Sequence, residues 1–355
     1  MKNIMNKLFS KKSRSRSISL LLVIVMYVVL QILNAGGSLP RLYVSLLVPV
    51  CCYIVAAIGL NMNVGVSGEL NLGQAGFMSI GAFSAVVFSG LLQEVIPNEI
   101  LRLAICVVVG AILSGFIGWL ISIPVLKLEG DYLAIVTLAF GQIIMSLINN
   151  LYVGVDSNGL HFAFVNNNMT LEAGGKLLIS GPMGATGVTT ISTFTAGFVL
   201  IVIALLIVYN LMDSKEGRAI MACRDNRIAA ETVGITVSKQ KTLSFVLSSA
   251  LGGAAGALYG LNYSSFVATK FDFNNSILLL VYVVLGGLGN MTGTIVATTL
   301  LVALPEALRF LSGYRMLIYA VVLIVIMLVT NNEKLKQLAE SKFKKNGKKE
   351  VEAHE

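Results

Sequence analysis

The stretch from Gly59 to Phe83 reads GLNMNVGVSGELNLGQAGFMSIGAF, and it sits between two apolar runs. It carries Gly59, Gly65, Gly68, Gly73, Gly76 and Gly81, interleaved with Asn61, Asn63, Ser67, Glu69, Asn71 and Gln74. A straight lipid-facing helix has no use for so many polar groups. At membrane depth, non-helical backbone is tolerated only where it is buried in protein or lines a cavity. Interrupted, glycine-rich spans are also the best sequence pointer to a path through the membrane. The polar and small residues Asn61, Asn63, Gly68, Asn71, Gln74 and Gly76 are therefore candidate path-lining groups. The competing reading is a cytoplasmic turn followed by a glycine-rich packing helix.

The surrounding composition requires a membrane. The 355 residues are 56% hydrophobic and only 12% charged, half the roughly 25% charge of soluble chains. Mean hydropathy is +0.82. A soluble enzyme or a nucleic-acid module is excluded as the main reading. Ten apolar segments recur, at approximately 18–33, 42–60, 70–92, 102–123, 132–151, 191–212, 242–261, 276–290, 292–311 and 315–330. They predict an all-α, polytopic membrane protein of about ten transmembrane helices, with 276–290 the weakest and a possible re-entrant half-helix.

The net charge of +8 is concentrated. Residues 1–17 hold six Lys or Arg, 213–241 six more, and 331–355 seven, together 19 of the 26. Basic segments mark the cytoplasmic side. With the N-terminus inside, six crossings return the chain for the basic loop 213–241, and four more return it for the tail. Both termini are expected in the cytoplasm, with 152–190 as an outer loop. The chain thus divides into a basic head (1–17), a transmembrane body (18–330) and a charged tail (331–355). The first apolar segment reads as a retained helix, because a cleaved signal peptide would leave nine spans.

Small residues recur every fourth position at Ser244, Ser248, Gly252, Gly256 and Gly260, a face along which helix backbones approach closely, within the chain or across a dimer. Glu306 and Arg309 can pair with each other three residues apart. No Asp/Glu/His relay crosses the spans, which counts against proton-driven transport. The cysteines Cys51, Cys52, Cys106 and Cys223 have no CxxC spacing, and His161 and His354 are too unlike in setting to form a site. No metal, catalytic or nucleotide site is indicated, and no cofactor is expected on this chain.

Four motifs together resemble the permease subunits of ATP-binding-cassette importers for branched-chain amino acids. They are Gly59–Phe83, Leu128–Gly141 (LEGDYLAIVTLAFG), Gly217–Ile235 (GRAIMACRDNRIAAETVGI) and Leu285–Gly293 (LGGLGNMTG), followed by Leu304-Pro305-Glu306. Gln74, Gln142 and Cys223 depart from the commonest residues of the family. The resemblance implies a bacterial inner-membrane importer permease working with a second permease subunit, two cytosolic ATPases and an extracytoplasmic binding protein. It implies no enzymatic activity on this chain, and no nucleic-acid partner. Within it, 213–241 is the loop that docks on an ATPase, with Gly217, Arg218, Arg224, Asp225 and Gly234 as its motif residues. Leucine, isoleucine and valine are the implied cargo. A related permease for urea, a sugar or a nucleoside, or a stand-alone secondary transporter, are the alternatives.

Overall fold

The computed structural model describes residues 11–36, 40–93, 95–128, 130–156, 159–165, 175–309 and 314–331. The start of the basic head, the tail beyond Asn331, and Asn158, Asn167 and the Asn168-Met169-Thr170 triplet lie outside the described residues. The chain divides into two compact units, Met1–Thr299 and Leu300–Glu355.

All ten apolar segments form helices: α1 (Lys11–Ala35), α2 (Arg41–Asn61), α3 (Gln74–Leu92), α4 (Glu99–Val125), α5 (Asp131–Asn149), α6 (Phe194–Asp213), α9 (Val237–Gly260), α10 (Phe273–Gly286), α11 (Met291–Ala307) and α12 (Arg315–Asn331). Two further helices, α7 (Lys215–Asp225) and α8 (Arg227–Thr232), fold from the basic loop. Among the described residues six helices are long and apolar enough to cross a bilayer, namely α2 through α6 and α9. At 1.5 Å per residue, the 14 residues of α10 reach about 21 Å, short of the ~30 Å hydrocarbon core. The segment expected to be weakest is thus the shortest of the ten.

In the first unit α9 is the hub, packing along α4, α3 and α2. The spans of α2, α3 and α9 are 72% buried, whereas α4, α5 and α6 are buried over 28–33% of theirs and turn the remainder outward. The four-residue stripe explains the hub. A Cβ on Gly256 would lie 2.7 Å from the Met78 carbonyl carbon, and one on Gly260 3.0 Å from Ala82 Cα. Ser248 Oγ donates to Gln74 Oε1 at 3.4 Å and Ser244 Oγ to Asn63 Oδ1 at 3.4 Å. The stripe therefore works inside one chain, against α3 and the end of α2. A neighbouring row faces α4, where Ser114 Oγ donates to the Ser249 carbonyl at 2.8 Å.

Contacts sort the helix ends into two groups. At one end Arg16 pairs with Asp213 at 3.7 Å, and Ser19 bonds to Tyr209 at 2.7 Å and to Thr292. This is the basic end, where α7 and α8 also lie. At the other end the segment expected as an outer loop is instead largely a small antiparallel sheet. Its strands are β1 (Leu151–Asp156), β2 (Gly159–Phe164), β3 (Lys176–Ser180), β4 (Ala185–Thr186) and β5 (Ser265–Phe266), in the order β2-β1-β3-β4-β5. Val153 pairs with Phe162 and Ile179, and Ala185 with Phe266, so β5 ties the far end of α9 to the hairpins. Strands of two to six residues in an Asn- and Gly-rich segment carry too little alternation to be read from sequence.

In the second unit, Arg309 Nη1 donates to Glu306 Oε1 at 2.8 Å, the pairing their spacing predicted.

The packing at Gly256 leaves no space for a side chain. Gly256→Leu should lower stability by about 2–3 kcal/mol through overpacking. Gly115→Ala, whose Cβ would rest 3.3 Å from Ala250 Cβ, should be close to neutral. Retention of a monodisperse peak after graded heating in detergent measures both.

Candidate functional site

The break in the α2–α3 pair begins with a change of helix type. From Met62 to Ser67 the chain widens into a π-turn, and Gly68 ends it in the left-handed region at φ 76°. The backbone N–H groups of Gly68 and Glu69 both return to the Asn63 carbonyl, the latter at 3.2 Å. Residues 68–73 are non-helical. The freed backbone groups need partners, since burial without one costs about 1–3 kcal/mol. Leu72 N–H donates to Thr137 Oγ1 at 3.0 Å and Gly73 N–H to Asn71 Oδ1 at 2.9 Å. Ala75 N–H donates to Ser276 Oγ at 3.2 Å.

Several polar side chains of the stretch join helices. Asn61 donates to Thr294 Oγ1 and accepts from Gly289 N–H, both at 2.8 Å, so one amide fastens the end of α2 to the start of α11. Gln74 donates to the Ser248 carbonyl at 3.1 Å, and Asn71 Nδ2 donates to Gln74 Oε1 at 3.5 Å. Asn63 accepts from Ser244, while its Nδ2 is buried without a partner. Gly76 meets Gly141 of α5, where an added Cβ would lie 2.8 Å from the Gly141 Cα. Asn61, Asn63, Asn71 and Gln74 are all fully buried. In this conformation Asn61, Asn63, Gln74 and Gly76 therefore serve as interhelical joints, while Asn71 bonds within the break and to Gln74.

The basic loop is not an open loop. Ser214 caps α7, accepting from Gly217 N–H at 3.1 Å. Gly217 is needed there, because a Cβ would stand 2.7 Å from Met212 Cα. Asn226 caps α8 by accepting from Ala229 N–H at 3.0 Å. Gly234, at φ 82°, turns the chain back into α9. Cys223, Ala230 and Val237, with Ile235 against them, form a small separate core. Burial pushes the Cys223 thiol above its usual range, Lys241 pulls it back and Glu231 adds to the rise. The thiol is protonated at neutral pH and a poor nucleophile. Arg218 donates to the Asp213 carbonyl at 2.9 Å, close to its own helix start.

The structure brings together the two residue sets that the sequence presented separately. Arg224 Nη1 donates to the Gly65 carbonyl in the π-turn at 3.0 Å, while its Nη2 holds Asp225 at 2.8 Å. Its aliphatic stem lies against Gly68, where a Cβ would come within 2.6 Å of Arg224 Cγ. Lys241, at the start of α9, pairs with Glu69 at 2.5 Å, with side chains only 12% and 11% exposed. Glu216 accepts from Gln240 at 2.7 Å. Sequence reasoning missed the Lys241–Glu69 and Gln240–Glu216 pairs, although an acid and a base near the same expected membrane side were a signal. It also missed Ile228 and Val233, which are 76% and 74% exposed. Among the described residues there is no cluster of three metal-ligating side chains.

A nearly buried ion pair is costly to break from one side. Glu69→Gln should destabilise by about 3 kcal/mol, because it leaves the Lys241 ammonium poorly compensated. Adding Lys241→Met should recover part of that loss. A double-mutant cycle on thermal unfolding, read as non-additivity, measures the coupling.

The chain is 32% identical over 286 residues to the high-affinity branched-chain amino acid transport system permease protein LivM of Salmonella typhimurium, and 31% identical to that of Escherichia coli. Both matches cover 78% of this chain and 66%, just under two thirds, of the relative's length. It is 29% identical over 251 residues to the probable branched-chain amino acid transport permease protein LivH of Methanocaldococcus jannaschii, covering 68% of this chain and 72% of that protein. No solved structure matches it. The sequence profile described as "Branched-chain amino acid transport system / permease component" spans residues 42–330, taking in the interrupted helix, the helical loop and the hub, and the chain belongs to that family.

Proposed function

We propose that this chain is a membrane-spanning subunit of an ATP-driven importer whose cargo is leucine, isoleucine and valine. Family membership supports the transporter class, and the names of the relatives support the cargo. The observation that carries the mechanism is the pair of contacts made by the break in the α2–α3 pair, with α7 through Arg224 and Gly65 and with the start of α9 through Lys241 and Glu69. A push on α7 and α8 is delivered to the point where the backbone is already non-helical, and a helix break is where a rigid bundle can bend. Each permease presents one such element, so this chain accounts for the contact with one of the two ATPases. Exposed Ile228 and Val233 flanked by Arg227 and Glu231 form an apolar centre with a charged rim, the anatomy of a protein interface.

In this reading both termini and α7–α8 are cytoplasmic, and the five-stranded sheet faces outward toward a binding protein that selects the cargo. A second permease subunit completes the path. Asn61, Asn63, Asn71, Gln74, Gly68 and Gly76 supply uncharged polar lining as the helices rock apart. Hydrolysis of ATP belongs to the partner subunits, and this chain needs no cofactor.

Three measurements test the proposal. Ile228→Asp should cut co-purification of the ATPase by about ten-fold or more, since a buried unpaired charge is worth over 1.4 kcal/mol; full retention removes α8 from the coupling role. An impermeant thiol reagent on intact cells should label Lys176→Cys and spare Ile228→Cys, and the reverse pattern inverts the topology. Complex in liposomes with its binding protein should accumulate radiolabelled leucine on ATP addition. Accumulation of urea or a nucleoside instead would reassign the cargo.

A further inference from the structure

α3 and α4 run antiparallel in a register fixed at two points. Ser114 Oγ lies 3.3 Å from the Phe77 carbonyl oxygen, and a Cβ on Gly110 would lie 3.3 Å from the Gly81 carbonyl oxygen. Continued toward the sheet in steps of four, that register would set Ala85 opposite Cys106 and then Ser89 opposite Arg102. Residues four apart lie along nearly one helix face, so both belong to the contact between these helices. Ser89 is 2% exposed and Arg102 5%. Ser89 Oγ and Arg102 Nε are each buried with no hydrogen-bond partner. Among the described residues no ion pair includes Arg102, and Glu99 in the same turn is exposed to the outside.

This position is costly for a cation on two counts. Burial leaves the guanidinium Nε without a hydrogen-bond partner, which is unfavourable, and the first turn of the 27-residue α4 presents the positive end of the helix dipole. Both effects reverse when an anion arrives. The guanidinium fork matches a carboxylate with two parallel hydrogen bonds, and the Ser89 hydroxyl adds a third donor. Lipid does not supply the anion most readily, because the outward side of α4 is apolar there: Ile100 and Leu101 are 79% and 52% exposed, while Arg102 is buried. The pair lies under the sheet, since a Cβ on Gly90, next to Ser89, would lie 2.6 Å from Leu178 Cδ1 of β3.

We propose that Arg102 and Ser89 form a receiving point for the carboxylate of the transported amino acid, between α3 and α4 at the sheet end. The proposal rests on the reading of this chain as an amino acid permease. The site pairs an oxyanion with a fixed cation outside the binding protein, so the cargo is held by its carboxylate as it enters the membrane. A phosphate headgroup shares this oxyanion chemistry, and the test separates the two sources.

The experiment uses the whole complex in neutral phosphatidylcholine nanodiscs, without binding protein, and reads saturation-transfer NMR signals of millimolar leucine and of leucinamide. Leucine should give a signal and leucinamide none. Arg102→Gln should reduce the leucine signal about ten-fold or more, the loss of a charge-assisted hydrogen bond. Arg102→Lys should retain part of it, and Ser89→Ala should weaken it while leaving the guanidinium in place, which keeps the test decisive if Arg102→Gln does not fold. Equal signals from leucine and leucinamide, no signal from either, or a leucine signal unchanged in Ser89→Ala and in every folded Arg102 variant would each overturn the proposal. So would a leucine signal abolished by anionic phosphatidylglycerol at trace level, which assigns the site to a lipid headgroup. Leucine uptake in liposomes is scored in parallel: its loss in the unmodified complex fails the transport reading, whereas uptake with no carboxylate preference fails this site alone.

Discussion

Hydrocarbon offers no hydrogen bonds, and the architecture around residues 68–73 follows from that. A backbone that leaves helical geometry inside a bilayer must find every partner within the protein. Here Thr137, Ser276 and Asn71 supply them, and those side chains come from α5, from α10 and from the break itself. The interruption can exist only because other helices surround it. Those helices are in turn held where they are by the polar groups the interruption presents.

Close approach is the second requirement. Interhelical hydrogen bonds in membranes average about 0.6 kcal/mol, too little individually to hold a bundle together. They become useful where small residues bring backbones within reach of short side chains. α9 does this on two faces, with Ser244, Ser248, Gly252, Gly256 and Gly260 toward α2 and α3, and Ser249 and Gly253 toward α4. Dispersion contacts summed along these seams add to the bonds. The result is a stiff central group of three helices, with less buried helices around it.

Charge is buried near both ends of the helix group, as an ion pair at one and as Arg102 at the other. Lys241 and Glu69 sit almost fully covered at the basic end, where the helical loop meets the break. Together with Arg224 on the Gly65 carbonyl, they join the helical loop to the break.

Composition and periodicity alone determined that the chain spans a membrane, where its apolar helices lie, and that residues 59–83 are interrupted. These follow from local chemistry: a run of apolar residues has one use in lipid, and glycine with asparagine has few uses within a straight span. The Glu306–Arg309 pair was legible for the same reason, since a spacing of three fixes neighbours on one helix. The partners of the interruption were not legible. Asn61 could have faced a lumen as easily as Gly289 and Thr294, because sequence states that an amide is present and not which of two helices lies beside it. The sheet was missed because strands so short carry no period, and their pairing of residue 185 with 266 is a long-range fact. Only the tertiary structure decided that the small-residue stripe packs inside one chain, that the basic loop is bolted to the break, and that Arg102 is buried without an anion. Each depends on distances between segments far apart in the chain, which local propensity does not encode.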